Sequence, residues 1–250
     1  MSRESIMKRG LLLVVVAWMA LVGEASALSG DEVLMQVDRN LTPESFESYR
    51  KLVNIEPDGS RREFILFTVK KGNDRVASLF LSPASEQGRA TLRLGDNMWL
   101  YIPNVGKPVR ITSLQSVVGG VFNNADVMRL DYHSEYDVEE MEDQGETYLL
   151  MLKAKTRTVA YDRLKMTVDR KALVPTEIEC YASSGLLLKT LHFKETKTFD
   201  GNIRRPSVIE TDSPLQKGYR SIMIFAKIKK RDVPDEAFTL GFLPRVESLR

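Results

Sequence analysis

Alternation of apolar and polar positions is the main pattern of this chain from residue 46 onward, and it is clearest at residues 88–112. Ala90, Leu92 and Leu94 alternate with polar residues, and the turn residues 95–97 follow. Residues 98–102 then form an aromatic and aliphatic run that is apolar at successive positions. The pattern predicts a hairpin with a third short strand at residues 109–111, and an apolar environment on both faces of the middle strand.

The same period of two recurs between Gly, Pro, Asn and Asp clusters, which are typical of tight turns. Successive short strands joined by tight turns favour an antiparallel meander over parallel βαβ units. We therefore predict a mainly β (α+β) fold with one curved antiparallel sheet of about ten or eleven strands, and two or three helices on one face. Further strands are predicted at residues 46–55, 62–69, 76–81, 147–152, 161–168, 176–182, 186–194, 206–211 and 219–228.

Few segments have helical periodicity. Residues 29–39 predict a helix with Ser29 as N-cap and with Val33, Leu34 and Val37 on one face. Residues 113–122 fit either a helical stripe ended by two glycines or a loose apolar loop. A helical turn is predicted at residues 123–129, and a short helix or turn at residues 234–238.

The first 27 residues have the composition of a secretory signal peptide. A basic start is followed by an apolar run at residues 10–22 and by Ala25-Ser26-Ala27, which matches a cleavage site. We expect export, cleavage after Ala27 and a single domain at residues 28–250; a retained anchor is the alternative. The apolar run is shorter than the roughly 20 residues that a membrane span requires.

Charge and cysteine content exclude several classes of protein. The chain has a net charge of +2, with no concentrated basic excess of the kind that a nucleic-acid binder shows. Cys180 is the only cysteine in the sequence, so no internal disulfide is possible, and a buried structural thiol is favoured over a reactive one. His133 and His192 are the only histidines, and neither has a partner at metal-ligand spacing. We predict neither a metal site nor a cofactor.

Two charged runs have both a functional and a purely structural interpretation. The acidic residues 135–143 lack the ligand spacing of a Ca²⁺ loop, so a solvated hairpin edge is favoured over a site for a cation or a basic partner. Lys227, Lys229, Lys230 and Arg231 end the last long strand. They could contact anionic headgroups, but edge-strand lysines that deter aggregation are the favoured interpretation.

With an exported start, an amphipathic first helix and a strand meander, the chain resembles the LolA-like family of periplasmic carriers that sort lipoproteins to the outer membrane. The resemblance depends most on a turn and an aromatic strand that ends in proline, here Gly95, Asp96, Trp99, Tyr101 and Pro103. It implies a half-open β-barrel in the periplasm, with helices closing the concave side over an apolar cavity for acyl chains. Family members tether the lid with an arginine, for which Arg89 and Arg93 are the candidates.

Strand phase and helix spacing then select candidate lining residues. Met98 and Leu100 share one face of their strand and Trp99 the other, and the sequence leaves open which face is the cavity. Methionines suit a site that adapts to flexible chains. The predicted ligand-binding residues are Phe80, Leu92, Met98, Trp99, Leu100, Val117, Val118, Phe122, Met223 and Phe225.

The sequence has no G-x-S-x-G element, phosphate-binding loop or paired nucleophile and base, so we predict that the protein is not an enzyme. The leading hypothesis is a monomeric periplasmic carrier or chaperone that binds lipoprotein acyl chains or another lipid. An inner-membrane transporter or an outer-membrane receptor would be its partner, and nucleic acid would not. The alternative is a sensor or accessory module on the same fold that binds a transporter component or an anti-sigma factor.

Overall fold

All thirteen strands of the computed structural model, which describes residues 28–250, belong to one open antiparallel sheet. The spatial order is β6-β5-β4-β3-β2-β1-β13-β12-β11-β10-β9-β8-β7, so every neighbour except the β1–β13 pair is consecutive in sequence. The predicted signal peptide lies outside the described residues. The strands are β1 Ser45–Ile55, β2 Arg61–Lys71, β3 Arg75–Ser82, β4 Ala90–Leu94, β5 Asn97–Tyr101, β6 Val109–Ile111, β7 Tyr136–Asp143, β8 Thr147–Ala154, β9 Arg163–Asp169, β10 Val174–Tyr181, β11 Leu187–Phe199, β12 Ile203–Asp212 and β13 Arg220–Lys230.

The predicted meander is confirmed, but ten or eleven strands were too few. No strand was assigned to residues 136–143, which form β7, but the solvated hairpin edge favoured for the acidic run agrees with this exposed edge strand. It is an edge strand with mostly exposed side chains, so it needs no apolar alternation to form. Its backbone pairs with β8 on one side only, and the pairing shifts by one residue between Val138 and Glu140.

Helix α1, Gly30–Leu41, packs on the inner, concave face of the sheet. The predicted N-cap is confirmed: the Ser29 side chain accepts a hydrogen bond from the Glu32 backbone, and the Glu32 carboxylate accepts one from the Ser29 backbone. Val33, Leu34 and Val37 are fully buried in the main core. Their i, i+1, i+4 spacing forms the apolar stripe that fixes the helix on the sheet.

Two further helices are one turn each, α2 at Asn124–Val127 and α3 at Tyr132–Glu135. The first of these confirms the predicted turn within residues 123–129. Residues 113–122 form turns and bends and not a helix, so the helical alternative for this segment was wrong. Gly119 has a φ of +74° and the backbone reverses at this point, which a continuous helix does not allow.

The outer face of β2–β5 is covered by the C-terminal segment, residues 233–249, which we call the C-terminal cap. Its 3₁₀ helices, Asp235–Phe238 and Leu243–Leu249, bury Phe238, Leu243 and Val246 against the sheet. Trp99 packs against the same cluster from β5, whereas Met98 packs on the inner face with Met128. Both faces of β5 are therefore covered by apolar groups, as predicted.

Candidate functional site

A single connection crosses the concave face between the two edges of the sheet. It comprises residues 112–135, links edge strand β6 to edge strand β7, and contains α2 and α3. We call it the strap. Phe122, Val127 and Tyr132 of the strap are buried in the main core, while many of its backbone groups are bound by polar side chains from the strands beneath.

Two buried arginines of the sheet hold the middle of the strap. Arg50 on β1 donates to the carbonyl of Val127 at 2.8 Å, and Arg93 on β4 donates to the carbonyl of Met128 at 3.2 Å. Arg93 also forms an ion pair with Glu135 in α3. Burial, and then the nearby charge of Arg129, lower the pKa of Arg50 to about 9. A guanidinium on a helix-terminal carbonyl supplies a partner that the short helix cannot supply itself.

Two lysines add further polar anchors. Lys189 on β11 pairs with Asp126 at 2.9 Å and also donates to the carbonyl of Val121. Lys70 on β2 pairs with Asp131. Each lysine side chain is almost fully buried. Replacement of either lysine would leave a carboxylate of the strap without its partner, and breaking a buried ion pair in this way is strongly destabilising.

The first half of the strap lies very close to β1 and β13. Asn54 donates to the carbonyl of Val118 at 3.3 Å, and Ser221 accepts from the backbone N–H of Val121 at 2.9 Å. A Cβ added at Gly120 would lie only 2.1 Å from the Asn54 Oδ1 atom. Glycine is thus required for this close approach.

Asp38 connects α1 to the strap. Its carboxylate accepts hydrogen bonds from the backbone N–H groups of Tyr132 and His133, each at 2.8 Å, and Arg129 lies 3.8 Å away. Burial raises the pKa of Asp38 to about 6, against the lowering effects of Arg129 and of the two hydrogen bonds. The first turn of α3 is therefore fixed to α1 by a carboxylate whose charge is costly to bury.

A cavity of about 310 Å³ lies between the strap and strands β2–β6. Its volume is at the lower end of the range for small-molecule sites. Apolar side chains form slightly more than half of its wall, and Arg89 and several hydroxyl and amide groups form the rest. The lining residues are Leu66, Ser78, Phe80, Arg89, Thr91, Leu100, Ile111, Gln115, Ser116, Val117, Asn124, Val127 and Met128.

A second cavity, of only about 40 Å³, lies deeper in the core beside Phe122 and Met223. This volume holds one or a few water molecules but no acyl chain. Cys180 contributes to its wall and is completely buried, which raises the pKa of the thiol well above its usual value. The buried structural thiol predicted from the sequence agrees with this position.

The ten predicted ligand-binding residues do not surround one cavity. Phe80, Leu100 and Val117 line the 310 Å³ cavity, whereas Phe122 and Met223 line the small one. Three others have separate positions on or near the inner face. Met98 packs with Met128, and Val118 is partly buried against the main core. The guanidinium groups of Arg50 and Arg205 both lie over the ring of Phe225. Leu92 and Trp99 lie on the outer face with the C-terminal cap.

The two arginines proposed as lid tethers, Arg89 and Arg93, have different positions in the structure. Arg93 contacts the strap, as described above. Arg89 instead bonds to Glu86 at 2.9 Å and lies over the Phe80 ring, 5.6 Å from its centroid, at the wall of the cavity. Sequence reasoning missed Arg50, because a cation within a strand of mixed polarity gives no sign that it faces inward. The inward phase of Phe46 and Leu52 on β1 was the available signal.

The acidic run, residues 135–143, comprises the last residue of α3 and the exposed strand β7. Several of its carboxylates pair with neighbouring cations, for example Glu139 with Arg163 at 3.1 Å and Asp143 with Arg170 at 3.0 Å. Within residues 28–250 no group of three or more His, Cys, Asp or Glu side chains is arranged to hold a metal ion. No helix in this same range is long and apolar enough to cross a membrane.

The open antiparallel sheet of thirteen strands with few helices is a LolA-like fold. The structure is similar to a LolA superfamily protein from Nitrosomonas europaea, with a TM-score of 0.78 and 27% identity over 86% of this chain and 100% of that chain. It is also similar to a putative outer membrane lipoprotein-sorting protein domain from Vibrio parahaemolyticus, with a TM-score of 0.72 and 18% identity over 86% of this chain and 98% of that chain. The predicted resemblance to the LolA-like family is confirmed.

A DUF1329 family protein from Desulfovibrio piger has a TM-score of 0.73 and 20% identity over 86% of this chain and 97% of that chain. A family model described as "uncharacterized protein" matches residues 72–245, and the chain belongs to that family. No curated protein sequence matches this chain.

Proposed function

We propose that residues 28–250 act as one periplasmic carrier, which binds the acyl chain of a lipoprotein or another lipid between the strap and the sheet. The ligand is passed towards the outer membrane without chemical change. The observation that carries this proposal is the 310 Å³ cavity of mixed polarity, covered by a strap whose backbone is held largely by polar side chains.

The polar anchoring matters because the strap must move to admit a long chain. A cavity of 310 Å³ accepts only part of a lipid, so the remainder requires space that the strap now occupies. When the strap opens, Arg50, Arg93 and Lys189 exchange their strap partners for water, so each polar contact costs only about 1 to 3 kcal/mol to break. Each methylene that enters the apolar space contributes about 0.8 kcal/mol, and several methylenes offset the loss of one contact.

Backbone strain in the strap supports the same interpretation. Val118 has a φ of +46°, a conformation that is unfavourable for a β-branched residue. It lies immediately before Gly119 in the part of the strap nearest β1. Strained residues of this kind persist only where the surrounding contacts enforce them, and they are common in switch segments. Release of Val118 would favour the open form of the strap.

Direct acyl binding tests the proposal. A fluorescent fatty-acyl probe should bind the purified protein, and Leu100→Asp should weaken that binding at least about tenfold, because a carboxylate then faces the cavity. Leu215→Asp is the matched control, since Leu215 is 57% exposed in the β12–β13 turn. Circular dichroism and a melting curve would establish that both variants fold. Equal binding of the probe by the two variants would refute the proposed carrier function. Absence of probe binding by the wild type, together with no lipid in its native mass spectrum, would also refute it.

The small volume of the deep cavity favours a second candidate, an accessory or sensor module that binds a membrane protein partner. In that case most of the interior serves only to stabilise the half-barrel. A pull-down from membranes would distinguish the two functions. A stable protein partner whose retention is unaffected by Leu100→Asp, together with absent acyl binding, would establish the accessory module in place of the carrier.

A further inference from the structure

A groove of about 690 Å³ opens at one end of the half-barrel, where α1 ends and β1 begins. The β9–β10 turn, the β11–β12 hairpin and the last residue of β13 form its other walls. It is separate from the cavity beneath the strap, with which it shares no residue. We call it the basic groove because Arg39, Lys171, Arg204 and Lys230 line it, against a single carboxylate, Glu44.

These four cations differ from most others in the protein. Many exposed lysines and arginines have a carboxylate partner, as Lys194 has in Glu210 at 2.6 Å. Among the described residues, Arg39, Lys171, Arg204 and Lys230 form no ion pair. Lys227 and Arg231, which lie near Lys230 in sequence, are both paired with Glu47. The basic run that ends β13 is thus divided, and only Lys230 from it joins the groove.

Hydrogen bonds between neighbouring elements fix the walls of the basic groove. Asn40 donates to the carbonyls of Ala172 and Leu173 at 3.1 and 3.0 Å, which holds the end of α1 against the β9–β10 turn. Arg205 donates to the carbonyl of Leu41 from β12. The unpaired cations are therefore displayed on a rigid frame, which reduces the entropy lost when they bind a ligand.

Backbone strain is concentrated around the same groove. Four non-glycine residues within residues 28–250 have a positive φ, and three of them belong to its walls or adjoin them. Asn202 lines the groove, Leu173 lies between two lining residues, and Glu195 precedes the lining residue Thr196. Such conformations are unfavourable for side-chain-bearing residues and cluster at binding sites.

From these observations we propose that the basic groove binds the phosphate of an anionic phospholipid headgroup at a membrane surface. A concentration of unpaired Lys and Arg attracts phosphate. Lipid is favoured over a free anion because the groove is far larger than a phosphate ion and has apolar wall residues, Pro43, Val174 and Ile203. Ile203 also belongs to the main core, so an acyl chain leaving the headgroup would meet apolar surface.

The test is co-sedimentation with vesicles of phosphatidylcholine alone and of phosphatidylcholine mixed with phosphatidylglycerol. The wild type should bind the mixed vesicles and lose that binding in high salt. The double variant Lys171→Glu/Arg204→Glu should bind them at least about tenfold more weakly. Both side chains are exposed, so the fold should be retained, and a melting curve verifies this.

The double variant Lys107→Glu/Lys217→Glu is the matched control, because it makes the same change in net charge at exposed turns. These turns lie at the opposite end of the sheet, between β5 and β6 and between β12 and β13. An equal loss of binding in this control would mean that net charge and not the groove attracts the vesicles, and the proposal would be wrong. Failure of the wild type to prefer the mixed vesicles would also overturn it.

Glycerol phosphate, followed by NMR shifts of groove residues, distinguishes a soluble anion from a lipid. Tight binding of this small molecule without vesicle binding would replace the lipid by a free phosphate compound and overturn the proposal as stated. The fluorescent acyl probe should bind the groove variant as it binds the wild type. The proposal for the basic groove and the proposal for the acyl cavity can thus be confirmed or refuted independently.

Discussion

The strap and the C-terminal cap cover opposite faces of the same strands, and they are attached by different forces. The cap buries Val233, Phe238, Leu243 and Val246 against an apolar outer surface of β2–β4. The strap also buries apolar side chains, but its backbone depends on cations, amides and hydroxyls that rise from the sheet. Apolar burial is lost in full when a segment lifts into water, whereas polar partners are replaced by water.

The comparison indicates which cover is permanent and which is movable. The C-terminal cap should leave the sheet only on global unfolding, because nothing in water replaces its contacts. The strap should open locally at a lower free energy, and its opening exposes the concave face where a ligand would bind. Hydrogen exchange, which measures the opening free energy of individual segments, is the direct way to test this difference.

The largest expected effect is that of Phe238→Ala in the C-terminal cap. Phe238 is 3% exposed, so its truncation should lower the free energy of unfolding by about 3 to 5 kcal/mol. Denaturant unfolding would measure the loss, and acyl-probe binding should be unchanged in the folded protein. If the cap detached while the sheet stayed folded, the proposed contrast between the two covers would be wrong.

The second prediction concerns Asp38, which anchors the strap to α1. Its pKa is raised from 3.8 to about 6, so the Asp38 carboxyl group binds a proton more tightly in the folded state than in the unfolded state. Its contribution to stability is complete at low pH and is lost as the pH rises through about 6. The loss should be roughly 2 to 3 kcal/mol.

Unfolding measured at several pH values in wild type and in Asp38→Asn would isolate this contribution. The difference in stability between the two proteins should change across this pH window. Phe238→Ala is the control, because it removes no titrating group and should keep the wild-type pH profile. A profile in Asp38→Asn identical to that of the wild type would contradict the assigned role.

The smallest expected effect is that of Gly120→Ala. The new Cβ would meet the buried Asn54 side chain at 2.1 Å, so the strap must move away from β1, at a cost of about 1 to 3 kcal/mol. Hydrogen-exchange protection should fall mainly in residues 112–135, and the acyl probe should enter faster. Gly241→Ala in the C-terminal cap is the control, since a Cβ there meets nothing within 4 Å. Similar exchange in both variants would count against a movable strap.

Several elements could be derived from residue patterns because their signals are local. The Ser29 cap and the stripe of α1 involve residues within one or two turns of each other. The hairpin of β4 and β5 follows from the alternation before residues 95–97 and the aromatic and aliphatic run after them. In such segments the side chains that decide the conformation are sequence neighbours, so the sequence is sufficient.

Sequence reasoning failed where the deciding partner is distant in the chain. Edge strand β7 forms because β8 offers it a free edge, despite its acidic composition. Trp99 and Met98 were correctly placed on opposite faces of β5. Only the C-terminal cap, more than 130 residues later, determines that Trp99 is on the outside.

The sequence by itself determined that this protein has an amphipathic first helix and an antiparallel meander, because period and turn chemistry act over a few residues. Tertiary structure alone decided that residues 112–135 cross the concave face and that Arg50, Arg93 and Lys189 hold them there. A buried cation requires a partner wherever the fold brings one, and that partner comes from segments 35 to 77 residues away. The physical reason is that burial and charge pairing depend on distance in space, which the order of residues does not contain.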